Sequence, residues 1–342
     1  MKIKPRAQSL LAAAVLALAG LAATMPGAQA AIRPASTPAL HGTRIALGAT
    51  TELYGNAFAQ APNGAVFFSR GAVVYVVEGD RAPGIALRAG HTVFALAATN
   101  TDLFVETGLL VTEYSRANGK QIRHWALPRT VAAVTSAGLY VFGNTVWAWT
   151  DWATDESGFQ YAQLDRLHTN GAAVRVIDKD AMPGDMAADG AGLYFETVHG
   201  LNDYLARANP TTSSVLLRKT AIIDAPLALV GGRLDELAFG DTQTIVSYNA
   251  TTLARVSSKR VAANDDSIVG TGLGLLVLDL PCSGFPCNSA SVARLNSATG
   301  GAPGALRTPG AYQLLNGPAA AVVEATDVHG SHANMFLVRI SS

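Results

Sequence analysis

His199, His329 and His332 stand in turn-rich segments, with Asp203 and Asp327 close to them in sequence. Neutral imidazole and carboxylate hold a metal ion when ligands from separate segments converge on it, and they move protons when within hydrogen-bond reach. The competing reading is polar side chains on solvated loops, and no metal is assigned. Asp151, Asp155 and Glu156 offer the oxygen ligands that calcium takes, but their run lacks the D-x-D-x-D-G spacing of a calcium loop. Trp147, Trp149, Trp152 and Tyr161 form an aromatic cluster suited to stacking on a sugar ring or anchoring a partner protein. The alternative is a loop packed on itself. Trp147 and Trp149 fall on the same side of a strand, so at least one of them is expected in the core. The ligand-binding candidates are therefore Trp147, Trp149, Trp152, Asp155, Tyr161, His199, Asp203, His329 and His332.

Catalytic signatures are thin. The chain has no G-x-S-x-G elbow, no H-E-x-x-H pair and no phosphate-cradling P-loop, so no catalytic residue and no cofactor is assigned. The two cysteines, Cys282 and Cys287, lie in P-C-S-G-F-P-C-N. Four residues between them close a small loop, with Gly284 and Pro286 aiding the turn. The spacing is not C-x-x-C and no histidine lies nearby, so a structural disulfide is expected rather than a redox or metal pair.

Residues 1–30 read as a secretory signal peptide. Lys2, Lys4 and Arg6 precede the uncharged apolar run 10–23, Pro26 and Gly27 follow, and Ala28-Gln29-Ala30 supplies small residues for cleavage after Ala30. The apolar run is shorter than the ~20 residues that span a bilayer as a helix. Segment 31–40 is an Ala/Pro-rich lead, and 41–342 reads as one domain. An extracytoplasmic location, secreted or in the cell envelope, is expected, without a membrane span. Lys and Arg number 25 and Asp and Glu 25, a balance that argues against a nucleic-acid surface. A monomer is expected.

The remaining chain, about 310 residues, exceeds the size at which single-core domains usually split, so it holds two domains or grows by repetition. Repetition is what the sequence shows. A small-residue strand such as V-F-A-L-A-A (93–98) or V-A-A-V-T (131–135) is followed by a turn and an apolar strand, as in D-L-F-V-E (102–106), G-L-Y-V-F (138–142) and G-L-Y-F-E (192–196). A third, alternating strand ends in a polar turn, and a fourth follows it. Four short antiparallel strands repeating about every 40 residues describe one β-propeller blade. Taking Phe67, Phe104, Tyr140, Tyr194, Leu237, Leu276 and Val322 as equivalent second-strand positions gives about seven blades. The last unit stops after its third strand, 335–340, while strand 43–47 precedes the first complete unit. The N-terminal strand is thus expected to complete the last blade and close the ring, hiding sheet edges. The fold class is an all-β propeller of about seven four-stranded blades.

The turns between third and fourth strands, S-R-A-N-G (115–119), D-R-L-H-T-N-G (165–171) and N-S-A-T-G (296–300), resemble those of the broad superfamily of secreted propellers, including the PQQ-binding, NHL and YVTN types. The regular Trp signatures of the PQQ enzymes and the G-H and W-D pairs of WD40 repeats are absent.

The link between second and third strands is short in three units, at 69–71, 106–108 and 240–243. It reads long in four, at 147–161, 198–204, the cysteine segment and 327–334. Insertions confined to one face mark a binding face in repeat proteins. The expected function is a propeller that binds a protein or glycan of the cell envelope or medium through these loops. An extracellular lyase or hydrolase with His199 or His329 at the channel mouth is the alternative, and a purely structural envelope protein is a third.

Overall fold

The computed structural model describes residues 38–342 except 52–54, 109, 129–133, 143–144, 154–159, 179–185, 190–191, 200–201, 221–224, 240–242, 262–264, 283–284, 297–298 and 303. For 134–136, 142, 151–153, 160–162, 177–178, 198–199 and 265–266 it describes the backbone alone. Strand β1 (His41–Thr50) stands apart in sequence from the sheet it joins. Blade one is β2 (Phe58–Gln60), β3 (Val66–Arg70), β4 (Val73–Val77) and β5 (Gly84–Arg88), and blade two is β6 (Ala95–Ala98), β7 (Asp102–Glu106), β8 (Leu110–Ser115) and β9 (Gln121–Ala126). Blade three is β10 (Val134–Phe142), β11 (Thr145–Ala153), β12 (Gln160–Leu167) and β13 (Ala173–Asp178). Blade four is β14 (Ala187–Asp189), β15 (Gly192–His199), β16 (Asn202–Ala208) and β17 (Val215–Thr220). Blade five is β18 (Leu227–Val230), β19 (Arg233–Ala238), β20 (Thr244–Asn249) and β21 (Arg255–Arg260). Blade six is β22 (Asp265–Thr271), β23 (Gly274–Asp279), β24 (Ser291–Arg294) and β25 (Leu306–Arg307). Blade seven is β26 (Ala311–Leu314), β27 (Ala321–His329) and β28 (His332–Ser341), with β1 as its outer strand.

All seven sheets have four antiparallel strands in sequence order, except that β1 pairs with β28, from His41 opposite Ser341 to Thr50 opposite Ala333. The fold is the seven-bladed propeller that the repeat implies, and the N-terminal strand closes the ring as expected. Blade three corrects one detail of the repeat. Gly138–Phe142 belongs to the first strand, β10, and the second is β11, which carries Trp147 and Trp149. Tyr140 is therefore not equivalent to Phe104 or Tyr194.

Period-two alternation gives each strand two apolar faces, because each blade packs against a neighbour on both sides. Phe104, Val111 and Trp125 of blade two meet Leu139, Val146 and Ala148 of blade three. Trp147, Trp149 and Leu164 meet Leu193, Phe195 and Ala206 of blade four. The last seam joins Ala321, Val323, Met335 and Leu337 to Val66, Phe68 and Val77 of blade one, together with Ile45 and Leu47 of β1.

Arginines fasten neighbouring blades at the third strand. Arg166 donates to the Thr211 carbonyl of blade four (2.8 Å), Arg207 to Thr251 of blade five (3.1 Å) and Arg339 to Gly64 of blade one (2.9 Å). The turns that receive two of these bonds are shaped by asparagines whose side chains accept backbone N–H bonds, Asn209 from Thr211 and Thr212, Asn249 from Thr251 and Thr252. In the corresponding blade-six turn, Gly300 has φ +74°, and a Cβ there would sit 1.9 Å from the Arg260 carbonyl oxygen, so only glycine fits.

Candidate binding face and central channel

Because strands alternate in direction, the links between first and second and between third and fourth strands leave one face of the ring. The second-to-third links and the blade-to-blade connections leave the other. On that second face the blades are unequal. In blades four and seven the segments read as long loops are instead extended hairpins, with His199 opposite Asn202 and His329 opposite His332. Strands β11, β15, β27 and β28 run eight to ten residues, against five or six for β3, β4, β7, β8, β19 and β20. The reason is ladder hydrogen bonding: polar and apolar residues alternate through these segments, so continuing the sheet satisfies their backbone groups better than an open loop.

Blade six departs differently, through a true loop. Cys282 and Cys287 are joined (S–S 2.07 Å, Cα–Cα 5.6 Å), as the cysteine spacing predicts. Phe285 inside that loop meets Tyr312 edge-on at 5.8 Å and packs with Ala325, Val328 and Ala333 of the blade-seven hairpin. The Cys287 carbonyl accepts the Gly310 N–H at 2.9 Å. The blade-six loop and blade-seven hairpin thus form one raised block. The hairpins of blades three and four rise on the other side, and blade five lies between with short strands. Phe239, 47% exposed, follows directly after β19 on this face.

The candidate residues that the structure describes fall in several places. Trp147 is fully buried and Trp149 nearly so, both in the seam between blades three and four rather than on a surface. At least one was expected in the core; both are, because the alternate positions of a second strand face the neighbouring blade. Trp152 and Tyr161 are opposite each other on β11 and β12, and their side chains lie outside the described residues. Asp155 lies wholly outside them, as does the side chain of His199 at the end of β15. Asp203 is half-buried on β16, and His329 and His332 are exposed at the end of the blade-seven hairpin. Asp327 next to them has φ +52° and accepts a bond from Asn334 at 2.9 Å. The structure therefore pairs Trp152 with Tyr161 and His329 with His332, and puts the two pairs on blades that are not neighbours. No group of three or more His, Cys, Asp or Glu that could hold a metal ion is found among the described residues.

The first strands of all seven blades surround a channel cavity of 740 Å³. Small residues line part of it, among them Ala57, Ala59, Ala95, Ala97, Ala137 and Gly138, beside larger ones such as Phe58, Phe94 and Met186. Its polar groups are neutral: Asn56, Gln60, Ser267, Gln313, Asn316 and the tyrosines Tyr140 and Tyr312. His329 does not line it.

Sequence reasoning missed a set of seam carboxyls. Glu106 is fully buried, accepts a long bond from Thr150 of blade three (3.4 Å) and is held well above the usual carboxylate range, first by burial and then by the nearby Asp165. Asp165 itself is paired with Arg175 (3.4 Å) and Gln163 (2.6 Å). In the next seam but one, Glu196 and Glu236 interact across blades four and five, and Tyr248 donates to Glu236 at 2.6 Å. Burial raises Glu236, and burial together with that carboxylate raises the Tyr248 hydroxyl. The signal was present, since D-L-F-V-E and G-L-Y-F-E both end apolar strands in glutamate.

A carboxyl raised in the fold binds a proton that the unfolded chain has released, so its contribution is favourable below the unfolded value and lost as pH rises through the folded one. Glu113, Asp279 and Glu324 are shifted the same way, chiefly by burial. The thermal midpoint is accordingly expected to fall as pH is raised from 5 toward 9, and Glu106→Gln to flatten that fall while changing the midpoint little at pH 5. A melting series across this range checks it; an unchanged slope in the variant contradicts the assignment.

No family model and no curated protein matches the chain. Among solved structures, it is similar to a chain of a mitotic checkpoint complex (TM-score 0.56, 14% identity, covering 91% of this chain and 98% of that one). It is also similar to the β-propeller domain of Cps50 (Swd1) from Myceliophteria thermophila (0.56, 15%, 86% and 99%) and to the WD40 domain of Toxoplasma gondii coronin (0.55, 10%, 88% and 86%). At these identities the likeness is one of fold, and it places the chain among β-propellers in the broad sense. WD40 domains are among these neighbours although the repeating G-H and W-D pairs are missing here, since blade packing needs only alternating apolar strands.

Proposed function

We propose that this is an exported, non-enzymatic propeller that binds a protein of the cell envelope or medium through the face bearing the extended hairpins. The observation that carries the reading is Phe239. A large apolar side chain stands exposed at the start of the short second-to-third link of blade five. It is flanked in the ring by the longer hairpins of blades three and four and by the disulfide-linked loop and long hairpin of blades six and seven. An aromatic anchor within a rim of less critical contacts is the usual anatomy of a protein-binding hot spot. A propeller offers such a face at little cost, because the blades fix it from below. Export is supported by the three-part leader 1–30 and by the joined cysteines, which persist in oxidising compartments. A glycan partner has less support, because the two candidate tryptophans with described side chains, Trp147 and Trp149, lie inside a seam.

Replacing Phe239 with a photoreactive phenylalanine analogue, beside a control at exposed Ala117 on the opposite face, tests the reading. Adducts with a protein partner from position 239 and none from 117 are expected. Phe239→Ala should weaken that partner's binding at least tenfold, a change of about 1.4 kcal/mol, while leaving the thermal midpoint unaltered.

A further inference from the structure

A different surface, the outer edge of blade four, stands apart from the other six outer edges. The outer strand of every blade leaves one row of backbone N–H and C=O groups unpaired, and proteins commonly blunt such edges with bulges or very short strands. Here β5, β9, β13, β21 and β1 each carry a register shift against their neighbours, at Val74/Tyr75, Glu113/Tyr114, Leu164/Asp165, Ser247/Tyr248 and Ala46/Gly48. Strand β25 has only two residues. Strand β17 has neither device. All six of its residues pair with β16 in continuous register, from Val215 opposite Ala208 to Thr220 opposite Asp203.

Its side chains are also unusual. Leu216 and Leu217 are each 44% exposed, and Arg218 and Lys219 beyond them are exposed as well. Alternation puts Leu217 and Lys219 on one side of the strand, Leu216 and Arg218 on the other, so each side offers one apolar and one cationic group. Lys219 bonds the Asn202 side chain, and β17 contains no carboxylate.

We infer that β17 is a strand-addition site for an extended peptide of a partner protein, with two acidic residues followed by two aliphatic ones, lying antiparallel to β17. Main-chain bonds along the free edge supply the affinity. The acids face Lys219 and Arg218, and the aliphatic pair covers Leu217 and Leu216. The site lies along the outer edge of blade four and reaches the blade-four hairpin at its Lys219 end, where that side chain bonds Asn202.

The test is hydrogen–deuterium exchange on the whole protein with the blocked peptide acetyl-Thr-Glu-Asp-Ile-Val-Thr-amide, and with a counterpart carrying lysine at both acidic positions. The acidic peptide is expected to slow exchange of the 215–220 amides at least tenfold, with no change at β9 or β21, and the lysine peptide to leave them unaffected. The exposed double variant Arg218→Glu, Lys219→Glu should reverse the preference, binding the lysine peptide instead. No slowing at millimolar peptide, equal slowing by both peptides, or slowing spread over several outer strands would overturn the proposal. So would protection of β17 by anionic phospholipid vesicles in place of the peptide, which would make the edge a membrane contact.

Discussion

Deleting residues 41–50 is expected to abolish the cooperative unfolding transition of this protein. The segment is β1, and without it the edge of β28 is left open along its length. Ile45 and Leu47, 6% and 4% exposed, leave the seam between blades seven and one. Each such side chain contributes roughly 1.5–3 kcal/mol by burial. Arg44, which meets the buried Glu324 carboxyl at 2.7 Å, is lost too, stranding an acid without its partner. Together these losses reach about 5 kcal/mol or more, comparable with the whole stability of a typical domain. Calorimetry or circular dichroism of the truncated chain checks this, and adding a synthetic peptide of residues 38–51 in excess should restore the transition. A truncated chain that melts like the parent would mean that the ring does not depend on this closure.

Trp147→Ala carries the second large effect. The side chain is fully buried between blades three and four, against Leu164, Leu193 and Phe195. Replacing a buried tryptophan by alanine removes its transfer free energy and leaves a cavity, at a cost of about 3–5 kcal/mol. Urea denaturation should show this as a lower midpoint, with partner binding at the hairpin face retained under conditions where the variant is folded. A loss below about 1 kcal/mol accompanied by lost binding would return Trp147 to the ligand surface.

The contrast between Trp147 and Phe239 shows where local sequence stops being informative. Trp147 stood in what read as a long aromatic loop because G-L-Y-V-F, ending at Phe142, imitates G-L-Y-F-E, the second strand of blade four. The structure assigns G-L-Y-V-F to the first strand, where Ala137 to Val141 line the channel. Phe239 precedes the segment read as a short link, 240–243, and its 47% exposure follows from what the neighbouring blades leave uncovered rather than from its own repeat. The ring itself was legible: small first strands, asparagine turns and a last unit lacking its outer strand all follow from packing rules that act within one repeat. The partners that the seam carboxyls meet and the unbulged edge of β17 were not. They depend on which residue of the next blade sits opposite, and on register that no single repeat encodes.

The most direct measurement of the binding account is the comparison of photo-adducts from positions 239 and 117 in cells that produce the protein. The account predicts a discrete protein adduct from 239, competed away by excess unmodified protein and absent from 117. Adducts from 117 alone, or equal adducts from both faces, would contradict it.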